Sequence, residues 1–306
     1  MKNHHMRIVF ALFVVLVFSC SVAFAWSGAG HMTVAAIAYG ELSADEKHKV
    51  SNLLTHHPDY SKWTNKFSAE LAPIDLETFV FMRASTWPDE IRRRGNEYDH
   101  PEWHYIDYPL EPPLFPDKPS PFPNNDILYG IAECEHTLTN RNALIEVRAA
   151  YLSWLIHLVG DIHQPLHCST LVNADYEEPI GDKGGNSFFV KPNTAGVNLH
   201  SIWDKALGAS VNYRSQFNYA TRIVADNSRA NLAELSKDLT PQSWSKESRA
   251  IAIENAYLHG NLHGGKTAAT AIPLPEDYTR NLKMIAERQA ALAGFRLAGE
   301  IKRFVR

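Results

Sequence analysis

Apolar residues along this chain recur mostly at spacings of three and four, the period of an α-helix, and seldom alternate. Residues 28–41 read as a helix with Ala35, Ala36 and Ala38 on a small face and His31 in its first turn. Ser43-Ala44-Asp45-Glu46 has the form of a capping box, so a second helix is expected from Ala44 to about Leu54. Helical spacing returns over 75–85 and leads into Trp87-Pro88-Asp89-Glu90-Ile91-Arg92, where the proline is expected to hold Trp87 extended. Trp103-His104-Tyr105-Ile106-Asp107 alternates like a short strand, which puts His104 and Ile106 on one face and Tyr105 and Asp107 on the other. Two long helices follow at 125–141 and 143–164, then a short extended run at 186–190 and a helix at 200–207. Thr240-Pro241 is an N-cap with proline at the first helical position, opening a helix to about Leu258. The last helix, 276–304, turns Leu282, Ile285, Ala286, Ala290, Ala293 and Leu297 inward, with Gln289 as the polar exception in that stripe. The expected class is mainly α, a single-domain multi-helix fold with a short strand or hairpin element.

The first 25 residues stand apart from this pattern. Lys2 and Arg7 precede the apolar run Ile8 to Phe18, and Ala23-Phe24-Ala25 has the small-x-small form cut by a signal peptidase. Residues 1–25 therefore read as a cleaved signal peptide, and the mature domain as 26–306, secreted or periplasmic and without a membrane anchor after cleavage. Cleavage moves the formal charge from -4 to -6, because the leader carries two cations and no acidic residue. Such a balance offers no broad basic surface, so a polyanionic substrate would have to be held by metals and local groups. Residues 109–123 hold seven of the 17 prolines and read as a surface loop. Cys134 and Cys168 remain after cleavage, either as one disulfide or as two buried thiols. His48, His56 and His57 lie beside lysines or at a helix end and read as solvated, and His259 and His263 as surface residues.

The chemistry gathers in the stretch from His157 to His167, H-L-V-G-D-I-H-Q-P-L-H. His157 and Asp161 are four apart, so a helix projects both from one face, within reach of one cation. Pro165 should end or bend that helix and turn His167 elsewhere. A second pair with the same spacing follows at His200 and Asp204. Adding Trp26 for its free amine, His31, Asp89 and His104 gives five imidazoles and three carboxylates without a cysteine. That donor set suits zinc held for catalysis, with positions left open for water.

These motifs, with Gly184-Gly185-Asn186, H-S-x-W-D, W-x-D-x-I-R, W-H-Y-I-D, and a mature amino-terminal tryptophan followed by G-x-G-H, resemble the S1/P1 nuclease family. The similarity runs through the whole mature chain, including Trp244-Ser245-Lys246-Glu247-Ser248 and Ala293-Gly294-Phe295-Arg296-Leu297-Ala298. It implies a phospholipase C/P1 nuclease-like fold holding three zinc ions, and hydrolysis of single-stranded DNA and RNA to 5'-phosphonucleotides with removal of 3'-phosphates from 3'-nucleotides. No stable protein partner is inferred.

Carried over by position, the resemblance implies one zinc on Asp89, His104, His157 and Asp161. A second takes the amine and carbonyl of Trp26 with His31 and shares Asp161, and a third takes His167, His200 and Asp204. Asp161 would bridge the pair on which in-line displacement at phosphorus occurs, and Arg92 would neutralise charge on the phosphoryl group. Tyr105, often phenylalanine in the family, would stack a base whose edges meet Asp107, Gly184 and Asn186. His163 stands at a variable position, either behind the ligands or near substrate, and is given no metal. Two other readings remain: a zinc phospholipase C, which shares most of the ligands but has glutamate in place of Asp204 and lacks G-G-N and W-H-Y-I-D, and a non-catalytic secreted zinc-binding protein.

Overall fold

The structure, a computed structural model, describes residues 26–122, 124–209 and 211–305, so the signal-peptide expectation for 1–25 lies outside the described residues. The principal helices are α1 (Gly28–Gly40), α2 (Ala44–Leu54), α3 (Leu76–Ala84), α4 (Trp87–Ile91), α5 (Ile127–Thr139), α6 (Ile145–Asp161), α7 (Leu199–Asp204), α8 (Tyr213–Asp226), α9 (Pro241–Ile251) and α10 (Tyr278–Val305). Two small sheets complete the fold. β1 (Pro109–Leu110) pairs in parallel with β2 (Thr170–Leu171). β3 (Phe189–Lys191) lies between antiparallel β4 (Val197–Asn198) and parallel β5 (Ile272–Pro273). The mainly α expectation holds.

Local chemistry accounts for most element starts. The Ser43 side chain accepts from Glu46 N and the Glu46 carboxylate takes the Ser43 N–H, so the capping box forms as read. Thr240 caps α9 in the same manner with Ser243, and Pro241 occupies the first turn, where it forfeits no hydrogen bond. α9 stops at Ile251, short of the expected 258, and passes through one wide turn at Ala252–Ala256 before Leu258 and His259 adopt left-handed backbone.

Three expectations are corrected. Trp87 is not extended: it opens α4, with Pro88 tolerated in the first turn, and its indole is buried with Nε1 donating to Asp59 at 3.0 Å. Residues 103–107 form no strand; Ile106 N instead donates to His167 O at 2.8 Å and Ile127 N to Tyr105 O at 3.0 Å. The alternation nonetheless survives as burial, with His104 and Ile106 inside and Tyr105 and Asp107 half-buried. His57 also departs from its solvated reading. It is 3 % exposed, stacked on Trp63 and edge-on to Trp87, while His48, His56, His259 and His263 are exposed.

α6 is the axis of the molecule. From Ala149 to Asp161 nearly every residue is buried, because α1, α2, α3, α4, α5 and α10 all pack around it. A helix apolar on every side can satisfy itself only in that position. A second apolar cluster, built on Leu110, Leu166, Leu171, Val190, Leu199 and Trp203, lies under the two sheets. The turn that ends α6 passes from the first cluster into the second. Cys134 and Cys168 are both buried free thiols, and no described helix is long and apolar enough to cross a membrane.

Candidate metal centre

The last turn of α6 brings His157 Nε2 to 3.1 Å from Asp161 Oδ2, as the four-residue spacing requires. His104, delivered by the extended segment before β1, places Nδ1 3.1 Å from the same oxygen and 2.9 Å from His157 Nε2. On the other side His31, from the first turn of α1, sets Nε2 3.2 Å from Asp161 Oδ1. Asp89 Oδ1, in the first turn of α4, stands 3.9 Å from His104 Nδ1 and 3.8 Å from His157 Nε2. His31 also reaches Asp89 and His157 closely enough for those three to form a separate ligand group.

Beyond Asp161 the chain turns at Ile162–Gln164, and Pro165–Cys168 form a short 3₁₀ turn that swings His167 toward α7. There His167 Nε2 lies 3.2 Å from His200 Nε2 and 3.8 Å from Asp204 Oδ1, and His200 Nε2 lies 3.5 Å from Asp204 Oδ2. The expected redirection by Pro165 is therefore present. Gln164 secures it, accepting from Leu166 N and donating to Asp204 at 2.8 Å. Trp26 is fully buried at the start of the described chain, and the adjoining Ser27 N donates to Asp204 O at 2.9 Å, tying that end of the chain to α7.

The imidazoles are oriented from behind. His157, His167 and His200 each direct Nδ1 at a backbone carbonyl, those of Ser85, His104 and Gly184, at 2.8, 2.6 and 2.6 Å. A carbonyl carries no hydrogen, so Nδ1 must hold it and Nε2 presents a lone pair to the cluster. Two such lone pairs, on His167 and His200, then face each other at 3.2 Å, an arrangement that needs a cation between them. Buried His31 Nε2, Asp89 Oδ1 and Asp161 Oδ1, all turned into the cluster, have no hydrogen-bond partner, and each such atom costs about 1–3 kcal/mol if nothing else binds it. Ligands about 2.0–2.2 Å from a tetrahedral zinc stand roughly 3.3 Å from one another. The observed separations, 2.9–3.9 Å among Asp89, His104, His157 and Asp161 and 3.2–3.8 Å among His167, His200 and Asp204, bracket that edge. The residues fit zinc.

Charge at the cluster is divided: burial pushes the Asp204 carboxyl up to about 8 and that of Asp89 to about 6, and against its own burial His157 is held up at about 9 by Asp161 and Asp89, so His157 and Asp204 carry protons that a bound cation would displace. Burial and neighbouring His157 bring His31 down to about 4, and burial brings His104 to about 3, so both rings are neutral ligands at physiological pH. Burial alone would raise the Asp161 carboxyl, but His157, His167 and His31 around it hold it well below the ordinary carboxylate value.

Above the cluster lies a cavity of about 390 Å³. His104, His167 and His200 form its floor, and Arg92, Tyr105, Asp107, Gly184 and Asn186 its walls. Gly184 is required there: it has φ +60°, and a Cβ would come within 2.4 Å of Leu166 O. Arg92 caps the end of α4 and donates to Pro101 O at 3.3 Å. Sequence reading did not single out Arg93, Lys183, Phe122 or Ile180, which also line the cavity. Nor did it foresee Asp182, buried under the glycines and accepting from Leu171 N and Tyr257 OH.

His163 lies behind the ligands and does not line the cavity. Its Nδ1 donates to Val159 O at 2.7 Å, and Arg296 Nη1 donates to Nε2 at 2.7 Å while Arg296 Nη2 pairs with Glu247 at 2.8 Å. Gln289 donates to His163 O and Ser248 to Ile162 O. The polar exception in α10 and the two C-terminal motifs thus hold the turn between Asp161 and His167.

A family model described as S1/P1 Nuclease matches residues 26–306. Endonuclease 4 of Arabidopsis thaliana is 25% identical over 317 residues, spanning 96% of this chain and 94% of that protein. Endonuclease 1 of the same plant is 26% identical over 317 residues, spanning 95% and 91%. Nuclease S1 of Aspergillus oryzae is 27% identical over 191 residues, spanning 60% and 54%.

Proposed function

The chain belongs to the S1/P1 nuclease family, and on that premise we propose that it is a zinc-dependent phosphodiesterase cutting single-stranded DNA and RNA to 5'-phosphonucleotides, with 3'-nucleotidase activity. The carrying observation is the Asp161 carboxylate, fully buried, with one oxygen 3.1 Å from both His104 and His157 and the other 3.2 Å from His31. Two oxygens aimed at two separate imidazole sets support a bridging carboxylate. Asp89, His104, His157 and Asp161 would hold one ion, Trp26 and His31 with Asp161 a second, and His167, His200 and Asp204 a third. Zinc bound there supplies Lewis acidity toward phosphoryl oxygens and acidifies water near neutral pH.

The chain's own residues supply the rest. Arg92, on the cavity wall at the end of the helix that carries Asp89, offers a guanidinium to the charged phosphoryl oxygens. Tyr105 offers a ring for base stacking, worth about 1–3 kcal/mol, which a duplex would deny. Asp107, Gly184 and Asn186 stand where base edges would come. Asn186 is already oriented, its amide donating to Lys183 O at 2.8 Å. Free access of Trp26 to a metal requires its amine, so cleavage after Ala25 and a secreted or periplasmic location are part of the proposal. The family match that starts at residue 26 supports that boundary.

The test is cleavage of circular single-stranded DNA and of a 3'-mononucleotide by protein with a verified Trp26 terminus, with and without chelator and with zinc restored. Activity lost to the chelator and regained with zinc is expected. Undiminished cleavage in chelator, or hydrolysis of phosphatidylcholine in place of DNA, rejects the proposal.

A further inference from the structure

The cavity over the metal centre does not stand alone. Beside it lies a second of about 360 Å³, lined by Glu102, Ile106, Ser120, Asn125 and Asp126 and by three residues that also line the first: Tyr105, Asp107 and Phe122. The two rings and the Asp107 carboxylate therefore form a shared wall. Phe122, from the proline-rich loop, is 46 % exposed, although neighbouring apolar residues such as Ile106 and Ile127 are wholly inside. A large ring left at a cavity mouth has apolar surface to cover.

The lining specifies what can enter. The second cavity has no lysine or arginine, and its charged groups are the carboxylates Glu102, Asp107 and Asp126, so a phosphate is disfavoured there. It does offer ring faces and carboxylate or amide acceptors, which suit a flat heterocycle carrying amino donors. Its volume falls in the range of small-molecule sites, about 300–1,000 Å³. The cations, Arg92, Arg93 and Lys183, all line the first cavity, where the strand's charge would lie. Alternating in this way, one cavity suits backbone and base and its neighbour suits a base alone.

We propose that the second cavity is a further nucleobase subsite, taking the base next along the strand from the one placed against Tyr105 on the metal side, with Phe122 as its stacking residue. This rests on the nuclease reading above and extends it to the binding of at least two successive bases. Substrates of two or more nucleotides then gain over a mononucleotide, and the gain runs through Phe122. Loss of one stacked base is worth about 1–3 kcal/mol, or roughly 5- to 150-fold.

The zinc-loaded protein and Phe122→Ala are compared on a deoxydinucleotide, on a 3'-mononucleotide, and in equilibrium binding of a dinucleotide analogue with a P–CH2 bond in place of the scissile P–O bond. The expected result is a 5- to 150-fold fall in kcat/KM and affinity for the dinucleotides, a much smaller fall for the mononucleotide, and recovery in Phe122→Trp. Equal losses on both substrates, or no loss on the dinucleotides, overturn the subsite and leave the nuclease reading standing. Should the unsubstituted protein neither bind nor cut the dinucleotide, the nuclease reading itself fails and the subsite with it. Because Phe122 is exposed and outside the core clusters, the substitution does not threaten folding.

Discussion

Arg92 and Asp89 sit three residues apart, and that spacing lets one short helix put a cation on the cavity wall and a carboxylate 3.9 Å from His104, which also lines the cavity. If its guanidinium meets the phosphoryl group as proposed, Arg92→Ala should lower kcat by on the order of 10²–10³, the usual cost of one transition-state donor, while zinc content by mass spectrometry stays unchanged. Unaltered kcat would reject the role. His57 makes a different prediction. Burial between Trp63 and Trp87 brings its pKa down to about 3 from 6.5, so the unfolded chain takes up a proton below pH 6.5 and the folded one does not until about 3. More protons on the unfolded state mean that stability is full above pH 6.5 and falls on acidification, by about 1.4 kcal/mol per unit from this one group. Unfolding free energies from urea titrations at pH 7.5 and 5 should therefore differ by roughly 2 kcal/mol less in His57→Phe than in the parent. An equal acid loss in both would show that this ring is not the source. The position of His57 beside a helix end and two residues before Asp59 reads as surface; only the later Trp63 and Trp87 fold over it, and nothing local announces that.

Among the elements, α1 and α6 cross where the site needs them closest. A Cβ at Gly160 would stand 2.8 Å from His31 Nδ1, so the glycine lets the imidazole lie against α6 and reach Asp161. Gly160→Ala is expected to displace that ring, at a cost of about 1–3 kcal/mol, and to leave fewer than the parent number of zinc ions bound. Gly299→Ala on α10, where a Cβ would meet nothing within 4 Å, should be neutral or stabilising by about 0.5–1 kcal/mol. Full zinc occupancy in Gly160→Ala would refute the packing argument. The caps at Ser43 and Thr240, the long central helix and the amphipathic last one were all legible, because short-range hydrogen bonds and a 3.6-residue period are written in consecutive residues. Residues 103–107 were legible only in part. Their alternation reports burial correctly, but the hydrogen bonds that would make a strand go to His167 and Ile127, partners remote in sequence.

For the whole molecule, the donors come from α1, α4, α6, α7 and the segments before β1 and after α6, so the site is closed only when all of these have docked. Ions that bind this assembled cluster and not the open chain stabilise it by mass action, about 2.7 kcal/mol at a hundredfold excess over Kd. Stripping metal should thus lower Tm by at least about 5 °C, with recovery on adding zinc, and scanning calorimetry in chelator would check it. A Tm indifferent to chelation would mean that no resident metal holds these elements together. The sequence by itself determined the helical class, the caps and the candidate donor residues, since periodicity, capping and the H-x-x-x-D pairs are carried by residues near one another in the chain. It also marked Gln289 and the two C-terminal motifs without saying why. Only the tertiary structure decided that these brace the Asp161–His167 turn, that Cys134 and Cys168 stay as thiols, and that Phe122 and Lys183 join the cavity. Each of those depends on a contact between residues far apart in the chain, and such contacts are fixed by how whole helices pack around α6.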